Sequence, residues 1–316
     1  MGQKDLAQND YFNDENRFAD MCNGILFQGK QIISANELKE IQVDIVYHEG
    51  NVLHKVIPDK VRIWNGFCIG IMGVENQTMV DYHMVFRIMK TEAVSYERQW
   101  KDKESELKRH GILNEKAPMC WNTISREIKF LPVIMIVIYF GIDKSWDGAT
   151  CLYEMLDMDK LLEPYVTNYK MNLFDFHKYT DFSFFKTENR ELFEVLSCAK
   201  DEKKMNQLLQ SNMERYCKLS VDVVRTIFVL SGIDLSAMNV YKEKEQEVVD
   251  MCQAWDDHKE RGRKEGIEQG IEQTLLLMVS KKVQKNMTLN MIADHLEEDV
   301  DVIRPIYEKV IREYQN

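Results

Sequence analysis

Two acidic residues stand where a metal ion could be held between them. Pro58-Asp59 lies within the stretch 55–63 (KVIPDKVRI), and Glu75-Asn76-Gln77 closes the next stretch, 67–75 (FCIGIMGVE), sixteen residues after Asp59. Both stretches read as strands, and Trp64-Asn65-Gly66 between them is a turn signal. With a three-residue turn (Asn65, Gly66, Phe67), Asp59 faces Gly73 and Glu75 falls on the same sheet face. A two-residue turn would put the acids on opposite faces, so the pairing requires the longer turn or a bulge. Diagonal neighbours on one face lie ~7–8 Å apart, which lets two carboxylates converge on one cation. A cation there would polarise a phosphate, activate a water and relieve charge on a leaving oxygen. Mg²⁺ keeps several of its waters, so one or two carboxylates plus a substrate phosphate suffice. A solvated hairpin with acids on one face shows the same spacing. Glu75, however, follows Ile69, Ile71, Met72 and Val74, and an acid at the end of a buried strand is costly to place.

These acids need a sheet and helices to hold them. Residues 5–26 read as a lead-in followed by a helix, with Phe18, Met21, Cys22 and Ile25 at helical spacing. Residues 42–48 alternate like a first strand, 55–63 form a second interrupted by Pro58, and 67–75 a third. Residues 79–107 form a long helix with Met84, Ile88 and Ser95 on one face, and 111–128 a connector. The run 130–140 (FLPVIMIVIYF) is a fourth, buried strand. As a helix it would span only ~16 Å, against the ~30 Å of a bilayer core. The order is α-β-β-β-α-β, an α/β core over 1–150 with a mixed central sheet flanked by helices. Residues 151–260 read as a mainly helical extension packed on it, with Phe174, Phe176, Phe182, Phe184 and Phe185 as core aromatics. Residues 261–316 form a charged helix plus a small helical tail unit. In 263–273 (RKEGIEQGIEQ) the only apolar stripe is Ile267 and Ile271, and glycine weakens the helix, which points to an exposed or self-associating segment. The tail 287–314 reads as two short helices, with Thr288 as N-cap of the first and Pro305 in the first turn of the second.

The bulk numbers narrow the class. A chain of 316 residues that is 45% hydrophobic and 29% charged has the make-up of an ordinary globular protein. The start, MGQKDLAQNDYF, has no apolar signal region. Seven cysteines, an odd number with no C-x-x-C pair, indicate reduced thiols in a cytoplasm rather than a zinc or disulfide framework. A net charge of −11 argues against a broad nucleic-acid surface, although basic clusters occur at 101–109 and 261–264. The absence of G-x-S-x-G and of a recognisable Cys/His pairing argues against a serine or cysteine hydrolase.

The stretches NRFADMCNGILFQGKQII, IPDKVR, IGIMGVENQTMVDYHMVFRIM, SYERQW, FLPVIMIVIYFG, WDGATCLYEML and the EGIEQGIEQ tail resemble the bacterial Rpn or YhgA-like proteins. These are described as recombination-promoting nucleases or transposases with a PD-(D/E)XK nuclease core. The resemblance covers about 5–160 and the tail. It implies a restriction-endonuclease-like fold and a Mg²⁺- or Mn²⁺-dependent DNA endonuclease. Asp59, Glu75 and Gln77 would be its catalytic positions, and Asp59, Glu75 and the Asn76 backbone carbonyl its metal ligands. Gln77 stands where the wider superfamily has lysine, and it can neither carry a positive charge nor shuttle a proton. Lys60, Arg62 and Arg87 are nearby candidates for that charge, and Tyr96 and Gln99 match a Y-x-x-Q pattern that serves either the site or helix packing. The expected partners are DNA and, through the C-terminal helices, a second copy of the chain; no membrane partner is expected. The competing reading is a degenerate nuclease fold acting as an interaction or assembly module, which the acidic charge and Gln77 favour.

Overall fold

The computed structural model describes residues 3–40, 45–49, 52–56, 60–64, 67–74, 80–111, 128–233 and 248–315. The chain opens with two helices, α1 (Gln3–Tyr11) and α2 (Glu15–Phe27). Asp14 separates them because its carboxylate accepts the Arg17 N–H at 2.9 Å and so caps α2. Helix α2 ends on Gln28 in the left-handed region, followed by Gly29 at φ 83°. A Cβ on Gly29 would sit 2.7 Å from Phe184 Cβ, so both backbone angle and space demand glycine. Buried Asn23 then fixes the exit path. Its oxygen accepts the Ile32 and Ile33 N–H groups at 3.0 and 2.8 Å, and its amide donates to the Ile33 carbonyl at 2.8 Å.

The strands that follow are β1 (Leu38–Glu40), β2 (Ile45–Glu49), β3 (Val52–Val56), β4 (Lys60–Trp64) and β5 (Phe67–Val74). After helix α3 (Met84–Arg109) come β6 (Val133–Tyr139) and β7 (Asn172–Asp175). The main sheet runs β1-β4-β5-β6-β7, antiparallel across β1, β4 and β5 and parallel across β5, β6 and β7. It is thus a mixed α/β arrangement, with α3 as the crossover between parallel β5 and β6. Two expectations need correction. The alternating stretch at 42–48 does not supply the first strand of this sheet: β2 pairs with β3 in a hairpin of its own, and β1 takes that place. The stretch 55–63 is not one strand but the end of β3 and the start of β4, with Pro58, which has no N–H for a ladder, in the sequence between them. Strand β7 adds a fifth member from a segment whose four residues are too few to show a period.

Both sheet faces are covered. Val61, Cys68, Val133, Met135 and Val137 pack with Met84 and Ile88 of α3. The aromatics Phe174, Phe176, Phe182 and Phe185 are buried around Phe193 of helix α4 (Asn189–Cys198), with ring centroids 4.8–6.1 Å from it, as expected of core residues. Beyond α4 come α5 (Glu202–Ser211), α6 (Met213–Tyr216), the short β8 (Leu219–Ser220), α7 (Val221–Ser231), which packs on α1, and β9 (Val248–Val249), which pairs with β8.

The chain divides into two compact units, Met1–Leu235 with Val240–Cys252, and Ser236–Asn239 with Gln253–Asn316. The second contains most of α8 (Met251–Val283), together with α9 (Leu289–Leu296) and α10 (Val300–Gln315). Its core is Val279, Ile292, Ala293, Ile303 and Val310. Residues 262–274 of α8 are exposed throughout, as the charged EGIEQ repeat implies. Thr288 caps α9 by accepting the Met291 N–H. Pro305, five residues after Val300, lies beyond the first turn of α10 rather than inside it, so its missing N–H removes one intrahelical hydrogen bond. Among the described residues no helix is long and apolar enough to cross a membrane.

Candidate functional site

The end of the sheet from which β5 leaves is where the sequence attaches both expected acids. Lys60, the first residue of β4, pairs with Ile71 near the end of β5. Asp59 directly precedes Lys60, and Glu75 directly follows Val74. Asp59, Glu75, Asn76 and Gln77 themselves lie outside the described residues. The register beside them is described, and it corrects one premise. Trp64 pairs with Phe67, so only two residues separate β4 from β5, not three. Arg62 is accordingly level with Ile69, while Val61 and Cys68 belong to the opposite face, toward α3. A one-residue offset exchanges faces. Of the two conditions for uniting the acids, the longer turn fails and a bulge remains.

The candidate cations occupy different places. Lys60 opens β4. Arg62 is 2% exposed, donates to the Val61 carbonyl at 3.2 Å and lies over the Phe18 ring at 5.5 Å, so its guanidinium is turned into the α2 side of the core. Arg87 is on the surface in the first turn of α3, 2.6 Å from the Asp81 carboxylate.

Tyr96 and Gln99 have a structural role. Strand β7 begins opposite Ile136, so among the described residues no strand pairs with 131–135 on that side. Helix α3 supplies the partners. Gln99 accepts the Leu131 N–H at 2.7 Å and donates to its carbonyl at 2.9 Å, the Tyr96 hydroxyl accepts the Val133 N–H at 3.0 Å, and Glu92 accepts the Met135 N–H at 3.3 Å. The step from i to i+4 rises about 6 Å along a helix, close to the ~6.7 Å of every second strand residue, and the long Gln99 side chain covers the shortfall of the ~4.5 Å step from i+4 to i+7. Three side chains on one helix face therefore follow three alternate amides, those of Val133 and Met135 in β6 and of Leu131 just before it. Burial pushes the Glu92 carboxyl above its ordinary value, opposed by hydrogen bonds from Tyr169 and the Met135 amide. Tyr169 is raised in turn by burial and by the Glu92 carboxylate.

A second constellation at this end of the sheet was not foreseen. Val74, Tyr139 and Asp175 lie side by side at the carboxyl ends of β5, β6 and β7, the end at which parallel sheets place their sites. Asp175 is 1% exposed. Its carboxylate accepts from the Ser145 hydroxyl, from the Trp146 amide at 2.9 Å, from the His177 amide at 3.1 Å and from His177 Nδ1 at 2.9 Å. Burial alone would raise its pKa, but the hydrogen bonds from Ser145, Trp146 and His177 outweigh it, and the carboxyl stays below its ordinary value. The arrangement anchors the loop at 145–147 to β7. Its sequence signal is slight: an Asp-Phe-His after two apolar residues, and a Ser-Trp-Asp thirty residues upstream.

An open depression of about 440 Å³ lies elsewhere, lined in part by Glu188, Arg190, Glu191, Arg215 and Lys218. Its principal charges are engaged with one another or with neighbours, Arg215 with Glu191 and Glu194 and Glu188 with Arg17 and Ser220, so it reads as a cross-braced junction of α4, α6 and α7. Among the described residues no group of three His, Cys, Asp or Glu side chains is arranged to hold a metal ion.

No protein-family model, no characterised protein and no solved structure matches the chain.

Proposed function

We propose that the first unit is a nuclease core of the PD-(D/E)XK type, similar to the Rpn or YhgA-like proteins, and that it hydrolyses DNA phosphodiester bonds with Mg²⁺ or Mn²⁺. One observation carries the reading: the sequence α2, β1, β4, β5, α3, β6 in a sheet antiparallel on one side and parallel on the other, with both acids attached in sequence to the same end of β4 and β5. Asp59, Glu75 and the Asn76 carbonyl are all oxygen donors, the set that suits a hard divalent ion. Such an ion supplies Lewis acidity and an activated water. The chain's own part is to hold the two carboxylates at the sheet end and to bring the phosphate to them, with Gln77 as a neutral hydrogen-bonding group. Of the candidate cations, Arg87 lies on the surface in the first turn of α3, paired with Asp81, whereas Arg62 faces the core and is not open to a phosphate.

The two-residue β4–β5 register favours the second reading, an interaction module on a nuclease-like frame. Exposed Ile267 and Ile271 on α8 support self-association in either case. Cleavage of supercoiled plasmid by the full chain, with Mg²⁺ and with EDTA, beside Asp59→Ala, separates the readings. The nuclease predicts nicked or linear product that requires both Mg²⁺ and Asp59; equal product from wild type and Asp59→Ala, or none from either, favours the module.

A further inference from the structure

His177 presents an open ring nitrogen at the sheet end described above. Its Nδ1 lies 2.9 Å from Asp175, and its backbone N–H bonds the same carboxylate oxygen at 3.1 Å. An ionised carboxylate can only accept, so Nδ1 carries the hydrogen and the neutral ring keeps its lone pair on Nε2. The ring is also packed: it stacks on Phe176 at a centroid distance of 4.3 Å and lies 6.3 Å from the Tyr139 ring. Its side chain is 22% exposed, and among the described residues no group bonds Nε2.

The other described titratable groups near this end are engaged or unsuited to take a proton. Asp175 is saturated by its four donors. Asp143 pairs with Lys200 at 2.9 Å, and Asp147 with Lys144 at 2.5 Å. Burial and the Asp175 carboxylate hold the Tyr139 hydroxyl above its ordinary value, so it keeps its proton. His83 is 83% exposed at its side chain and 3.9 Å from Asp81, too far for a hydrogen bond to fix its ring. Position agrees with this elimination. Val74, Tyr139 and Asp175 form one row across β5, β6 and β7; Glu75 follows Val74 in sequence, and His177 lies in the turn Phe176–Lys178 that follows Asp175. Two strand spacings, about 10 Å, separate β5 from β7.

We propose that His177 is the proton acceptor of the hydrolysis, with Nε2 as the reacting atom and Asp175 as the positioning residue behind it. This rests on the nuclease reading, in which Gln77 cannot shuttle a proton. As the water oxygen bonds to phosphorus, its proton passes to Nε2. The ester P–O bond breaks, and its electron pair leaves with the departing oxygen, which takes a proton from solvent. Asp175 stabilises the imidazolium until Nε2 returns its proton to solvent.

The test is plasmid cleavage in Mg²⁺ by the full chain as wild type, His177→Gln and His177→Gly, with and without added imidazole. Both variants should cut about a hundredfold or more slower than wild type. Imidazole should restore part of the rate to His177→Gly, where an unattached base can take the vacated place, but not to His177→Gln, whose side chain fills it. A second readout needs neither metal nor turnover. In EDTA, the ¹⁵N signals of His177 should show a protonated Nδ1 and an unprotonated Nε2, and a DNA duplex should shift the Nε2 signal. Melting curves confirm that the variants fold. A His177→Gln that cuts within about threefold of wild type, a His177→Gly that imidazole does not restore, or an Nε2 signal unmoved by DNA would each overturn the assignment. The two readings fail differently. Asp59-dependent cutting that survives His177→Gln keeps the nuclease and removes His177 from it. No metal-dependent cutting by wild type removes the nuclease itself, and the role of His177 with it.

Discussion

Replacing Asp175 by Asn tests whether the buried carboxylate holds the sheet end together. Four donors converge on it: the Ser145 hydroxyl, the Trp146 and His177 amides and the His177 ring. Asn keeps one accepting oxygen but turns an NH₂ toward donors. If the oxygen stays with His177, the Trp146 N–H loses its partner in a buried setting. Losing a charge-assisted bond at about 1.5–3 kcal/mol and stranding an amide at about 1–3 kcal/mol gives about 3–5 kcal/mol. For a unit of this size that is roughly a 10 °C fall in melting temperature. The pH dependence fixes the cause. Because the folded carboxyl lies below its ordinary value, its contribution is complete above the unfolded carboxylate range, near ~3.9, and is lost as pH falls through the folded value. Urea denaturation of wild type and Asp175→Asn should show a gap that closes only in strong acid, as pH falls through the folded value of Asp175. A gap under about 0.5 kcal/mol would refute the reasoning, being no more than an ordinary surface substitution costs.

The Tyr96→Phe variant should lose about 1–2 kcal/mol by leaving the Val133 amide unpaired, and Gln99→Ala about 1–3 kcal/mol by freeing both groups of Leu131. Neither should abolish plasmid cleavage, and a variant that stays stable but inactive would move these residues from strand support to the site. Gly24→Ala would drive a methyl group into the Phe185 ring, so a loss of about 1–3 kcal/mol in urea is expected, and an unchanged midpoint would show that the ring can step aside. Millimolar Mg²⁺ should raise the wild-type melting temperature but not that of Asp59→Ala, the stabilisation being about 2.7 kcal/mol at a hundredfold excess over the dissociation constant. Equal shifts in both proteins would place metal binding away from Asp59.

Long apolar periods and strong local signals in this chain needed no tertiary information. The run 130–140 contains β6, since eleven residues rich in Ile and Val have no exposed face to offer. The amphipathic stretch near 79–107 became α3, and Thr288 caps α9 because a hydroxyl reaching an amide three residues on is a local event. The clustered phenylalanines were legible as core for the same reason. Register was not legible. Asn65-Gly66 announces a turn, but a two- or three-residue connection depends on how β4 settles against β5 and the helices around them, and one residue decides which face every side chain takes. Nor could the sequence show that Glu92, Tyr96 and Gln99 serve alternate amides at and just before the start of β6, some thirty to forty residues later, or that Asp175 gathers donors from a loop across the sheet end. Those pairings join segments far apart in the chain. They exist because the tertiary fold leaves particular backbone groups buried without a strand beside them, and a buried N–H must find an acceptor wherever one can reach.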